Sequence, residues 1–156
     1  MFKNCAALLI GTLAATCTVL AAEKPQTIPP ERLQSYWLLA DTGSPLVPNS
    51  GRNLNAPSCA AVSYIVEKDG TTSHVKLEKL VPEGDLGKVA VNVVSAMRFT
   101  AAPQNAGKTP VFTYVVMPFN LPDPSTPALA AQRASALAAC KLDNFAPDSK
   151  DVIHVR

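Results

Sequence analysis

The sequence predicts an α+β domain built from three strands, a helix laid across them and a second helix near the carboxy terminus. Three observations carry this reading. Apolar residues alternate with a period of two on either side of Asp69-Gly70, as a hairpin requires. An apolar stripe at helical spacing follows over residues 86–97. A further strand, residues 111–119, is apolar on both faces and so asks to be covered on both.

Taken in order, Val62, Tyr64 and Val66 share a face of the first strand, and Asp69-Gly70 turns the chain back. In the second strand Val75 and Leu77 share a face, while His74, Lys76 and Glu78 form a solvated one, which makes His74 a surface residue. Pro82-Glu83-Gly84-Asp85 breaks that strand and offers Asp85 as an N-cap. Lys88 stands where a capping-box Glu would complete the cap. Leu86, Val89, Ala90, Val93 and Met97 then recur as one helix face, and Arg98 follows at the exit, placed to meet the last carbonyls and the negative end of the helix dipole.

In the third strand Val111, Val115, Met117 and Phe119 alternate with Phe112, Tyr114 and Val116, and Thr113 is the polar interruption before Pro118. Either another part of the chain or a partner must cover its second face. The chain offers a candidate: Thr126-Pro127 is a helix start, and Leu129, Ala136, Leu137 and Cys140 fall on one side of the Ala-rich helix that follows. Beyond residue 143 the only signal is a short strand at Val152-Ile153.

At 156 residues the chain has room for one modest domain with flanking segments. Residues 1–22 hold Lys3 and then an uncharged run rich in Ala, Leu and Thr, which reads as a secretory signal peptide ending at Ala21 or Ala22. Its length also matches a spanning helix, so an uncleaved anchor is the alternative. A lipoprotein reading would need Cys17 acylated, and Thr16 fits that poorly. Residues 23–57 form an extension in which Pro29-Pro30 starts a short helix over residues 31–39, with Tyr36 and Trp37 packed against the domain, a partner-binding patch being the alternative. The domain proper spans residues 58–122, and residues 123–156 supply the added helix and a tail.

The formal charge of +2 is small and unclustered, which argues against nucleic acid or an anionic lipid surface as partner. With Cys5 and Cys17 lost alongside a signal peptide, Cys59 and Cys140 remain in an oxidising compartment and are expected to bond. The rival, a metal or redox pair, lacks a Cys-x-x-Cys and a nearby His. His74 and His154 are the only imidazoles, no nucleophile elbow frames a serine, and no glycine-rich loop cradles a phosphate. Glu83 and Asp85 flank a helix start, where the dipole favours negative charge. These absences point away from an enzyme, a metal or a cofactor.

Residues 59–121, about forty per cent of the chain, resemble the carboxy-terminal domain of the TonB family of periplasmic adaptors. The resemblance rests on CAAVSYIVEKDGTTSHVKLEKLV at residues 59–81, a helix ending in Ala96-Met97-Arg98-Phe99, the loop Asn105-Ala106-Gly107-Lys108-Thr109-Pro110-Val111 and the strand after it. Met97 stands where the family usually has Trp, and only Ala56-Pro57 lies near the place of its Tyr-Pro box. The resemblance implies a small three-stranded antiparallel sheet packed by one helix. It also implies a periplasmic protein that adds a short extended segment of an outer-membrane receptor to its sheet edge as a strand. Phe112, Thr113, Tyr114 and Val116 would line that contact, and a charge at Thr113 or Tyr114 is expected to abolish it while sparing the fold.

Energised family members keep an inner-membrane anchor and a long Pro-rich spacer. About 35 residues separate the hydrophobic segment from Cys59 here, a reach of about 120 Å at full extension. The alternative is a soluble envelope scaffold or accessory protein with the same fold and no energy coupling, dimeric through its third strand. Contact with the inner membrane requires an uncleaved leader.

Overall fold

The computed structural model describes residues 23–44, 46, 49–143 and 145. The leader at residues 1–22, the strand expected at Val152-Ile153 and His154 lie outside them. The elements in chain order are β1 (Gln26–Thr27), β2 (Trp37–Asp41), β3 (Ser58–Val66), β4 (Thr72–Val81), α1 (Leu86–Ala96), β5 (Arg98–Ala101), β6 (Val111–Phe119) and α2 (Pro127–Ala138). Among the described residues, no helix is long and apolar enough to cross a membrane.

The class is α+β, but the sheet is not the three-stranded antiparallel one expected. It has four strands in the order β1-β6-β3-β4, with β1 parallel to β6, and β2 pairs with β5 in a second, two-stranded sheet. The additional strands were hidden for identifiable reasons. β1 is two residues long, too short to show a period. The helix expected over residues 31–39 is instead a 3-10 turn, Pro30–Ser35, followed by β2. Extended backbone there turns Trp37 inward, where it is fully buried and its Nε1 donates to the Thr109 carbonyl at 3.0 Å. Leu38 and Leu39 are left half-exposed.

The hairpin turn depends on glycine. Gly70 has a φ of +82°, and a Cβ there would lie 2.0 Å from the Phe99 carbonyl oxygen. That close approach is productive, because the Phe99 N–H donates to the Gly70 carbonyl at 2.8 Å and ties β5 to the turn. Asp69 Oδ1 accepts from the N–H and hydroxyl of Thr71, and those bonds hold its carboxyl below the usual carboxylate range.

α1 buries Leu86, Gly87, Val89, Ala90 and Val94, so Val94 takes the deep position and Val93 is half-buried. Asp85 does not cap the helix with its side chain. Its Oδ2 accepts instead from the Arg52 N–H at 2.8 Å, which with Lys88 holds the carboxyl low. Arg98 Nη1 donates to the carbonyls of Met97 and Ser95, at 2.7 and 3.2 Å, closing the end of the helix.

β3 is buried along its whole length because the chain covers both of its faces. Ala60, Val62, Tyr64 and Val66 face the main core with Val111, Ala90, Val94, Met97, Phe99, Trp37 and Ile28. On the other face Cys59, Ala61 and Tyr114 meet Cys140, with Val116, Leu137, Leu142 and Phe145 around them. Cys59 and Cys140 form a disulfide with a Cα–Cα distance of 6.0 Å, across a sequence separation of 81. No residue of α2 itself is fully buried, so its hold on the sheet rests on this bond and the side chains near its end. Closing a loop of that length contributes roughly 4 to 5 kcal/mol in the chain-entropy picture.

Candidate functional site

The sheet has two edges of opposite character, β4 on one side and β6, covered only in part by the short β1, on the other. β6 pairs with β3 without a register shift from Val111 to Phe119. On its other side β1 covers only Val111 and Phe112. Gln26 N–H donates to the Pro110 carbonyl at 2.9 Å and Ile28 N–H to the Phe112 carbonyl at 3.0 Å. The next donor in this series would come from residue 30, which is a proline and has none. The chain leaves the edge there in its 3-10 turn.

Since backbone groups alternate in direction along a strand, the N–H and C=O of Tyr114 and Val116 and the C=O of Pro118 point the same way as those of Phe112, away from β3. Among the described residues, no backbone group pairs with them. Exposure rises along the same stretch, from Thr113, fully buried, to Pro118, exposed. No charged residue lies in β6.

β4, at the opposite edge, is blunted. Its pairing with β3 slips twice, from Lys79 to Leu77 and from Lys76 to Ser73, which inserts bulges. His74 sits in the left-handed region at φ +50°, and Lys76, Glu78 and Lys79 put charges on the strand. Glu78 accepts from the Ser63 hydroxyl at 2.7 Å and pairs with Lys76 at 3.0 Å. Bulges and charge are the ordinary means of preventing strand addition.

The residues expected to line a partner contact lie on both faces of β6. Phe112 and Tyr114 face the disulfide side, where both rings pack on Phe145, at centroid distances of 5.2 and 4.7 Å. Val116 shares that face and is half-buried. Thr113 is fully buried on the α1 side, its hydroxyl without a hydrogen-bond partner among the described residues. A charge at Thr113 or Tyr114 would therefore be stranded in the interior and damage the fold, contrary to the expectation that it would be spared. What the edge offers outward is main chain.

Sequence reasoning missed the two prolines that delimit it. The sequence pattern reads Pro29-Pro30 as a helix start and runs the third strand through Pro118 to Phe119 without giving Pro118 a role. A proline within a strand signals an edge whose N side faces out, and Pro118 fits that rule. His74 is exposed, its Nδ1 2.9 Å from the Ser73 hydroxyl. Among the described residues, no three His, Cys, Asp or Glu side chains cluster as metal ligands. A shallow groove between β4 and α1 is lined by Leu77, Gly87, Lys88, Val91 and Asn92.

No family model matches this chain, and no curated protein matches it. Among solved structures, the chain is similar to the solution NMR structure of the Pseudomonas aeruginosa TonB CTD. The two share 11% identity over 56% of this chain and 88% of that one, with a TM-score of 0.40. A likeness at this level does not establish a shared fold, and the reading of the β6 edge rests on its own geometry.

Proposed function

We propose that this protein is a non-catalytic binding module of the bacterial periplasm that takes a short extended segment of another envelope protein as an added strand along the second half of β6. The segment class that fits is the periplasm-facing tether of an outer-membrane transporter, in the manner of TonB-related adaptors. One observation carries the reading: the regular, uncharged β6 edge is left unpaired from Tyr114 onward among the described residues, while the β4 edge is bulged and charged. Main-chain hydrogen bonding along such an edge supplies affinity, and alternate side chains supply selectivity.

An accessory role without force transmission is favoured by a second observation. β1 and β2 fold into the two sheets with a 3-10 turn between them, so residues 26–41 are not a free spacer.

The test is a calorimetric titration of the full chain with synthetic peptides covering transporter tethers, followed by amide mapping of the complex. Saturable binding that protects the Tyr114 and Val116 amides supports the proposal. No binding across the peptide set, or protection confined to β4, overturns it.

A further inference from the structure

The β6 backbone groups left unpaired among the described residues form a short track with fixed ends. Pro30 ends β1, and Pro118 supplies a carbonyl but no N–H at the far end. Between them the track offers the N–H and C=O of Tyr114, the N–H and C=O of Val116 and the C=O of Pro118.

A second copy of the chain is the obvious competitor for such an edge, and its registers can be worked through. Two copies pairing antiparallel through β6 are related by a two-fold axis. An axis at Val115 sets Pro118 opposite Phe112 of the other copy, where Thr27 already lies. An axis at Val116 sets Phe119 opposite Thr113 of the other copy, beside Ile28, whose N–H already holds the Phe112 carbonyl. An axis at Met117 clears β1, but it sets Val116 opposite Pro118. That pair makes only one of its two bonds, because proline has no N–H to return. Every register is therefore obstructed by β1 or weakened by Pro118. An extended segment with no strand of its own beside it meets neither obstacle.

We infer that Pro118, acting with β1, is a specificity determinant that reserves this edge for a foreign strand. The inference rests on the function proposed above. The occupant is a segment of another polypeptide, extended over the five positions from Tyr114 to Pro118. It carries backbone N–H groups, and so no proline, at the positions that donate to the carbonyls of Tyr114, Val116 and Pro118. The new strand runs on from where β1 stops, in continuity with the existing β1–β6 pairing.

The experiment is sedimentation velocity on the full chain and its Pro118→Val and Pro118→Ala variants, with amide hydrogen exchange followed at Tyr114 and Val116. Pro118 is exposed on an edge, so both variants should keep the fold, which thermal unfolding checks. The expected result is a monomeric parent with fast exchange at both amides. The variants should self-associate roughly 25-fold more tightly, because each copy returns a bond it lacked and the dimer so gains two, and the Val116 amide should become protected. Variants as monomeric as the parent, with fast exchange, overturn the role of Pro118 and leave the open edge standing. Self-association of the parent through Tyr114 and Val116 also overturns it. Slow exchange in a monomeric parent means the edge is already closed, which overturns the proposed function as well.

Discussion

The two edges of this sheet, β4 on one side and the part of β6 that β1 leaves uncovered on the other, differ in almost every property that governs strand addition. β4 is ten residues long, yet two bulges, a left-handed His74 and the charges of Lys76, Glu78 and Lys79 interrupt it. β6 is nine residues long, regular, uncharged, and covered by β1 for two of them. A protein that only needed to stay monomeric would blunt both edges alike. Blunting one while leaving main-chain groups on the other unpaired among the described residues is what the proposed partner-binding role requires.

That contrast requires β6 to be firmly backed, and the largest expected effect concerns its support. Replacing Cys59 and Cys140 together by serine should lower unfolding free energy by about 2 to 5 kcal/mol, measured by urea titration. It should also raise exposure of the Tyr114 face, since α2 buries no residue fully and depends on the bond. On the blunted side, Gly70→Ala places a Cβ against the Phe99 carbonyl at a positive φ. It should cost about 3 kcal/mol in thermal or urea unfolding, by loosening the hairpin that carries β4.

Pro30→Ala sharpens the comparison at the open edge. It returns a donor in line with the Tyr114 carbonyl and lets β1 extend over the start of the track. Peptide affinity by calorimetry should fall about fivefold, the value of roughly one hydrogen bond, with stability unchanged or slightly higher.

The smallest effect lies beyond the end of β4. The Arg52 N–H and then Lys88 hold the Asp85 carboxyl below its ordinary range. A group whose pKa is depressed by folding contributes stability above its unfolded pKa, and that contribution is lost as pH falls through the folded value. Below about pH 4, the melting temperature of the parent should therefore fall more steeply than that of Asp85→Asn. Asp69, held low by Thr71, adds to the same acid slope.

Much of this architecture is legible in the residues. Asp69-Gly70 marks the hairpin, the stripe ending at Met97 marks α1, and the double apolar face of β6 announces cover on both sides. The cover proved to be α2 and Phe145 on one face and the main core on the other. β1 and β2 were not legible, because two residues show no period and Trp37 reads as part of a helix until its burial against Thr109 is seen. The candidate site was legible as a strand but not as an edge. The resemblance pointed to the side chains of Phe112, Thr113, Tyr114 and Val116, whereas the groups left unpaired among the described residues are backbone, and backbone pairing is set by which strand lies alongside. Pro30 and Pro118 were the available clues, since each removes a donor from one side of one strand.

The most direct measurement is amide hydrogen exchange along β6 in the free protein, residue by residue. Thr113, Val115 and Met117 donate toward β3, so their amides should exchange slowly. Tyr114 and Val116 donate toward the open side, so theirs should exchange rapidly, giving an alternating pattern. Uniformly slow exchange from Thr113 to Met117 would mean that the outer side of β6 is already paired, and the proposed docking edge would not exist.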